Sequence, residues 1–217
     1  WGFMQSYHVT RVENRADFLR KADTLPRAHI GYYPWNCAYR PESYGVLGYN
    51  DEYLFLYMRS YEDAKNRRAE VYRDNGEIYQ DSCLEFFFNP CPESRDVFIN
   101  LEINPRRFLY LAFGEPDIRK RHLFTTDEYN HFYLTVLDRE TALAGDYWDV
   151  SACIPFSFIK RVMPEFEKSE KMRFTGNFFK CGNKTPMPHY GCWSEIIPDS
   201  DVPNFYKTRY FGEILFN

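Results

Sequence analysis

The chain is patterned as short apolar and aromatic runs separated by turn residues. Nine runs read as β-strands: Gly45–Tyr49, Tyr53–Arg59, Ser82–Phe88, Val97–Ile103, Phe108–Phe113, Phe132–Leu137, Tyr147–Ile154, Met172–Lys180 and Phe211–Phe216. Each is rich in β-branched or aromatic residues and bounded by residues that favour turns. Asn50-Asp51 reads as the hairpin turn between the first two. Asn104-Pro105 does the same after Val97–Ile103, because Pro105 has no N–H to extend a ladder. Helical signals are confined to Arg15–Lys21 and to Phe156–Met163, which follows Pro155 and stops at Pro164. Long alternation of helix and strand is absent, which disfavours a doubly wound fold. The pattern predicts an all-β, antiparallel β-sandwich with one or two short helices. No repeat or linker divides the chain, so residues 1–217 read as one domain, with residues 1–30 an N-terminal extension packed on it.

Composition narrows the function more than the fold. Hydrophobic residues make up 44% of the 217, which excludes a disordered chain. No apolar run is long enough to span a membrane as a helix. The net charge of −4 argues against a nucleic-acid partner, and the basic stretch Arg119-Lys120-Arg121-His122 is too short to reverse that. The charged segment Glu62–Glu77 reads as a solvated loop. The aromatic content of 19% changes the picture most, since aromatic rings suit pleated sheets and also form flat ligand platforms.

The six cysteines contain no CxxC pair. Cys83 and Cys153 sit in apolar strands and read as buried thiols. Cys181, His189 and Cys192 fall in one stretch and make a candidate zinc set, but their spacing matches no common template and a fourth ligand is missing. No secretory signal is visible, and Met4 is a candidate natural start. The expectation is a reducing, cytoplasmic setting, the alternative being a secreted protein whose signal has been removed; the sequon at Asn183-Lys184-Thr185 matters only in a eukaryotic secretory context.

Three segments together resemble carbohydrate-binding modules of family 9 and their stand-alone family 9-like relatives. The first is Tyr44–Arg59, Y-G-V-L-G-Y-N-D-E-Y-L-F-L-Y-M-R, similar to that family's early hairpin. The second is Tyr79–Asn104, which carries Y-Q-D-S-C-L-E-F-F-F-N-P and then F-I-N-L-E-I-N-P. It resembles the family's D-S-x-x-E-F-F strand followed by N-x-E-x-N. The third comprises G-N-F-F-K-C-G at Gly176–Gly182, H-Y-G-C-W-S at His189–Ser194 and the closing Y-F-G-E-I-L-F at Tyr210–Phe216. The order of these motifs, with I-P-F-S-F-I at Ile154–Ile159, extends the likeness over most of the chain after about residue 30.

The resemblance implies a jelly-roll sandwich that binds sugar without catalysis, two tryptophans clamping a terminal ring while carboxylate, amide and arginine groups bond its hydroxyls. The family glutamate falls on Glu85, and the polar position on the next strand falls near Asn100 or Glu102. One clamp position falls near Ile78 or Tyr79 and the other near Phe205 or Tyr206. Neither is Trp here, so the match departs from the family at its ring-stacking positions. The calcium sites of the best-known members have no matching acidic cluster. Asp199 and Asp201 come nearest and read as a polar turn, so no cofactor is expected.

The residues themselves support a saccharide site. A sugar ring needs a flat aromatic surface and a few placed polar groups. Strand alternation puts Cys83, Glu85 and Phe87 on one face and Asn100 with Glu102 on one face of its neighbour. A carboxylate among apolar neighbours needs a ligand or a partner, and the alternative to a ligand is an ion pair with Arg107 or Arg173. Trp193 reads either as a platform or as a core plug, Trp35 as a loop aromatic, Trp148 as core. The candidate carbohydrate-binding set is Tyr79, Glu85, Asn100, Glu102, Trp193, Phe205 and Tyr206, with no catalytic residue. The competing readings are a glycosidase using Glu85 and Glu102, a haem-binding sandwich with Met and His ligands, and a protein-interaction domain.

Overall fold

The computed structural model describes residues 5–131, 135–136 and 145–216. Its strands are β1 (Ser6–Arg11), β2 (Ala28–His29), β3 (Ser43–Tyr49), β4 (Tyr53–Ser60), β5 (Ser82–Asn89), β6 (Phe98–Ile103), β7 (Leu109–Gly114), β8 (Arg121–Leu123), β9 (Thr135–Val136), β10 (Trp148–Pro155), β11 (Arg173–Gly182), β12 (His189–Cys192) and β13 (Gly212–Phe216). The helices are α1 (Arg15–Lys21), α2 (Thr126–His131) and α3 (Phe156–Val162).

One layer runs β8-β7-β6-β5-β11-β13-β1, with β12 added on β11. The other runs β1-β3-β4-β10-β9, with β2 added on β3. β1 belongs to both: Ser6–Val9 lie along β13, and Thr10–Arg11 lie along β3. Both pairings are parallel, so the sheet is mixed and not purely antiparallel as the pattern predicted. The cause is the connection. Parallel neighbours need a crossover rather than a hairpin, and α1 lies in the crossover from β1 to β3. The segment read as an N-terminal extension thus contributes the strand that joins the layers.

Between the layers lies the main core, which includes Leu84, Phe86 and Phe88 of β5, Leu54, Leu56 and Met58 of β4, and Trp148 of β10. Packing there is close enough that Gly45 has no room for a Cβ beneath the Phe178 ring. α1 covers the outer face of the second layer, where Phe18 stacks on Phe55 at 5.6 Å between centroids. Asn14 caps α1 by accepting from the Asp17 amide at 3.0 Å. The outer face of the first layer carries a second apolar cluster, including Phe87, Phe98, Phe179 and Phe205.

Most predicted runs lie where strands form, and Arg15–Lys21 is a helix over those residues. Of Phe132–Leu137 only Thr135–Val136 falls within the described residues. The short strands β1, β2, β8 and β12 and the helix α2 go beyond the prediction. The Glu62–Glu77 segment departs from a solvated loop in part: Asp81 accepts from the Glu70 and Val71 amides at 3.0 and 2.8 Å and pairs with Arg68. Glu62 itself is fully buried.

Candidate functional site

β6, β5 and β11 lie side by side in the first layer, and their alternation sends one set of side chains to its outer face. Register places Glu85 directly opposite Glu102, and Cys83 directly opposite Cys181. A hollow of about 580 Å³ opens above them. Its floor includes Glu85, Glu102 and Cys181. Its walls come from Tyr79, Tyr190, Phe205 and Tyr206, and its lips from Ile118 and Val202.

The two carboxylates are almost wholly out of solvent, Glu85 at 2% and Glu102 at 5% exposure. Neither makes an ion pair among the described residues. The arginines expected as structural partners are engaged elsewhere: Arg107 with Asp149 at 3.2 Å, Arg173 with Glu93 at 2.8 Å and Glu213 at 2.9 Å. Burial, and then the facing Glu102 charge, push the Glu85 carboxyl well above the usual carboxylate range, against hydrogen bonds from the Cys83 and Cys181 thiols. Burial raises Glu102 to about 7, opposed by the Asn100 amide and the Arg121 charge. Two carboxylates this close share protons more readily than they ionise together.

Asn100 stands behind the floor. Its Nδ2 donates to Glu102 at 3.0 Å, and its Oδ1 accepts from Arg121 at 2.6 Å. The Arg121 guanidinium lies 3.8 Å from the centre of the Phe98 ring and 5.2 Å from that of Tyr206. Within the basic stretch nothing distinguishes Arg121, because only the β7–β8 pairing turns it toward the site.

Apart from Tyr190 of β12, the walls come from loops and a short turn. Tyr79, on the short 3-10 turn Ile78–Gln80, is 41% exposed. Phe205 stacks on Phe179 at 4.2 Å with an interplanar angle of 11°, and meets Trp35 edge-on at 5.8 Å. Tyr206 sits edge-on to Phe87 and Phe98, each at 5.5 Å. Trp193 is not in this group. It is buried between the layers, edge-on to Phe178 at 5.8 Å, which is the core-plug alternative. Of the sequence candidates, the hollow therefore gathers Tyr79, Glu85, Glu102, Phe205 and Tyr206, with Asn100 behind them. It adds Tyr190, Ile118, Val202 and the rim residue Asp117, which carried no motif.

The candidate zinc set does not assemble. In β12 the alternation turns His189 away from Cys192, into the space between the layers. There its Nε2 lies 2.6 Å from Lys180 Nζ, and its Nδ1 lies 2.8 Å from the Met187 carbonyl oxygen. Burial and the Lys180 charge push its pKa down to about 2. Among the described residues, the cluster with metal-ligand spacing is instead Cys83, Glu85 and Glu102, whose ligand atoms lie within 4.8 Å of one another. Asp199 is held by Lys207 and by Arg209 at 3.8 Å.

Solved structures share this architecture. A protein from Bacteroides uniformis ATCC 8492, provisionally assigned to carbohydrate binding, superposes with a TM-score of 0.81 at 23% identity, covering 99% of this chain and 100% of its own. A family 9 carbohydrate-binding module from Caldicellulosiruptor kristjanssonii in complex with glucose gives 0.60 at 13% identity, over 98% of this chain and 96% of that one. A family 9 module from that organism in complex with cellotriose gives 0.64 at 12% identity, over 98% and 94%. No curated protein sequence matches significantly. The family model described as carbohydrate-binding family 9 matches residues 14–216. With nearly the whole chain inside that match, and the sandwich shared with solved modules of the family, this protein belongs to carbohydrate-binding family 9.

Proposed function

We propose that the protein binds a short glycan or glycan chain end in the hollow over β5 and β6, without catalysis. The observation that carries this reading is the pair Glu85–Glu102: buried, free of ion pairs among the described residues, and open to an aromatic-walled cavity. Carboxylates so placed need hydrogen-bond donors, and sugar hydroxyls are such donors. Tyr79 on one side and Phe205 with Tyr206 on the other supply the flat surfaces that cover C–H faces. Membership of the family points the same way. The geometry also weighs against hydrolysis, since a glycosidase needs two carboxyl groups flanking the scissile bond. Glu85 and Glu102 occupy facing positions of adjacent strands, on one floor.

Calorimetric titration with glucose and cello-oligosaccharides tests the reading. Tyr79→Ala and Phe205→Ala are each expected to weaken binding by about 1–3 kcal/mol, roughly 5- to 150-fold in Kd. Unchanged affinity in both variants, with folding verified by thermal melting, rejects the site.

A further inference from the structure

The charge of the hollow is one-sided. Glu85 and Glu102 form its floor, Asp117 stands at its rim, and no Lys, Arg or His lines it among the described residues. The nearby cations are committed elsewhere. Lys180 follows the strand to the opposite face and lies 3.3 Å from Glu62. Arg121 lies to the side of the floor, over the Phe98 and Tyr206 rings, and donates to Asn100 Oδ1 and to the carbonyls of Phe98 at 3.0 Å and Gly114 at 2.8 Å. Arg119 pairs with Asp117 at 2.8 Å outside the hollow. Two carboxylates more than nine-tenths buried thus face the cavity with no cation within ion-pair distance among the described residues, the charges of Lys180 and Arg121 reaching Glu85 and Glu102 only from farther off. Neutral hydroxyls satisfy their acceptor capacity but not their charge, and keeping one or both protonated is the alternative to a cationic ligand.

We propose that the hollow selects a saccharide carrying a free amine, its ammonium group seated between Glu85 and Glu102. This rests on the reading of the hollow as the sugar site and names the ligand class it prefers. An ammonium donates up to three hydrogen bonds, enough to meet both carboxylates at once, and such charge-assisted bonds are about twice as strong as neutral ones. The same floor rejects uronic acids, whose carboxylate meets like charge in a low-dielectric site. The aromatic walls leave the rest of the ring to be recognised as in a neutral sugar.

The test is calorimetry near neutral pH with D-glucosamine, N-acetyl-D-glucosamine, D-glucose and D-glucuronic acid, each with and without EDTA. Glucosamine is expected to bind at least about tenfold more tightly than its N-acetyl form and than glucose. Glucuronic acid is expected to be the weakest. In Glu85→Gln and Glu102→Gln the ratio of glucosamine to glucose affinity should fall toward one. That ratio is taken within one preparation and does not depend on how much of the variant is active. Neutral sugars binding as tightly as glucosamine overturn the inference and leave the sugar site standing. A preference abolished by EDTA overturns it in favour of a metal ion held by Cys83, Glu85 and Glu102. Binding of none of the four sugars, nor of a cello-oligosaccharide, overturns the site itself.

Discussion

Lys180→Met removes an ammonium from the middle of the protein while keeping most of the side-chain volume. Lys180 and Glu62 both have fully buried side chains, with Nζ 3.3 Å from Oε1. Lys180 also donates to the Cys181 carbonyl at 2.9 Å. Glu62 accepts two further bonds, from Ser82 Oγ at 2.9 Å and Trp148 Nε1 at 2.8 Å, so its carboxylate is fixed from three directions across the two layers. Methionine leaves that carboxylate buried with neutral donors only. Breaking a buried pair in this way costs about 3–5 kcal/mol, because the remaining charge keeps its desolvation penalty and loses its partner. With urea m-values of about 1–3 kcal/mol/M, the unfolding midpoint should fall by roughly 1–5 M. The double variant Lys180→Met/Glu62→Gln should recover more than about 1 kcal/mol of that loss, since no net charge is stranded. A pH signature accompanies it. His189 lies 3.6 Å from Glu62, and Lys180 helps hold it neutral in the native protein. Once Lys180 is gone, one cause of its lowered pKa is removed while burial, the larger cause, remains, so the folded pKa of His189 rises but stays below its ordinary value. The cost of keeping His189 neutral, which grows as pH falls below its ordinary 6.5, is therefore smaller in the variant than in the wild type, so the penalty of Lys180→Met is largest on the alkaline side of that value. A loss below about 1 kcal/mol, or strict additivity in the double variant, refutes the argument.

Two further outcomes follow from the site and the core. Because Glu102 has a folded pKa raised from 4.5 to about 7, the native state holds its proton more tightly than the unfolded chain does. Its contribution to stability therefore falls as pH rises through that window, while His189 acts in the opposite sense below its ordinary 6.5. The measurement is accordingly a difference: Glu102→Gln should gain on the wild type in chemical unfolding as pH rises from about 4.5 to 7, and a flat difference curve contradicts the assignment. Trp193→Ala should destabilise by about 3–5 kcal/mol through the cavity it leaves, yet keep sugar affinity within about twofold at temperatures where it is folded. A large affinity loss there would return Trp193 to the site.

Some features are written in local chemistry alone. The β3–β4 hairpin is one, because the Asn50 side chain accepts from the Glu52 and Tyr53 amides, both at 2.9 Å, within the turn itself. α1 is another, with its cap at Asn14 and its ion pair from Asp17 to Lys21 at 2.8 Å. The period-two pattern of Cys83, Glu85 and Phe87 likewise assigns Glu85 to a definite face of its strand. β1 is different. Ser6–Arg11 has only two buried side chains, and its partners β13 and β3 lie far along the chain, so pairing rather than local pattern makes it a strand. The same holds for Trp193 and Arg121, whose sequence neighbours give no hint of core or cleft.

Strand periods, turns, the family likeness and the side of the sheet on which the carboxylates stand are all legible in the order of residues. That this side is a hollow and not a second sealed core is a property of the folded chain, in which the loop carrying Phe205 and Tyr206 lies along one wall and leaves the floor open. Periodicity distinguishes the two faces of a strand but carries no information about what covers them. Coverage is settled by long-range closure, in which segments more than a hundred residues apart meet on the same few strands.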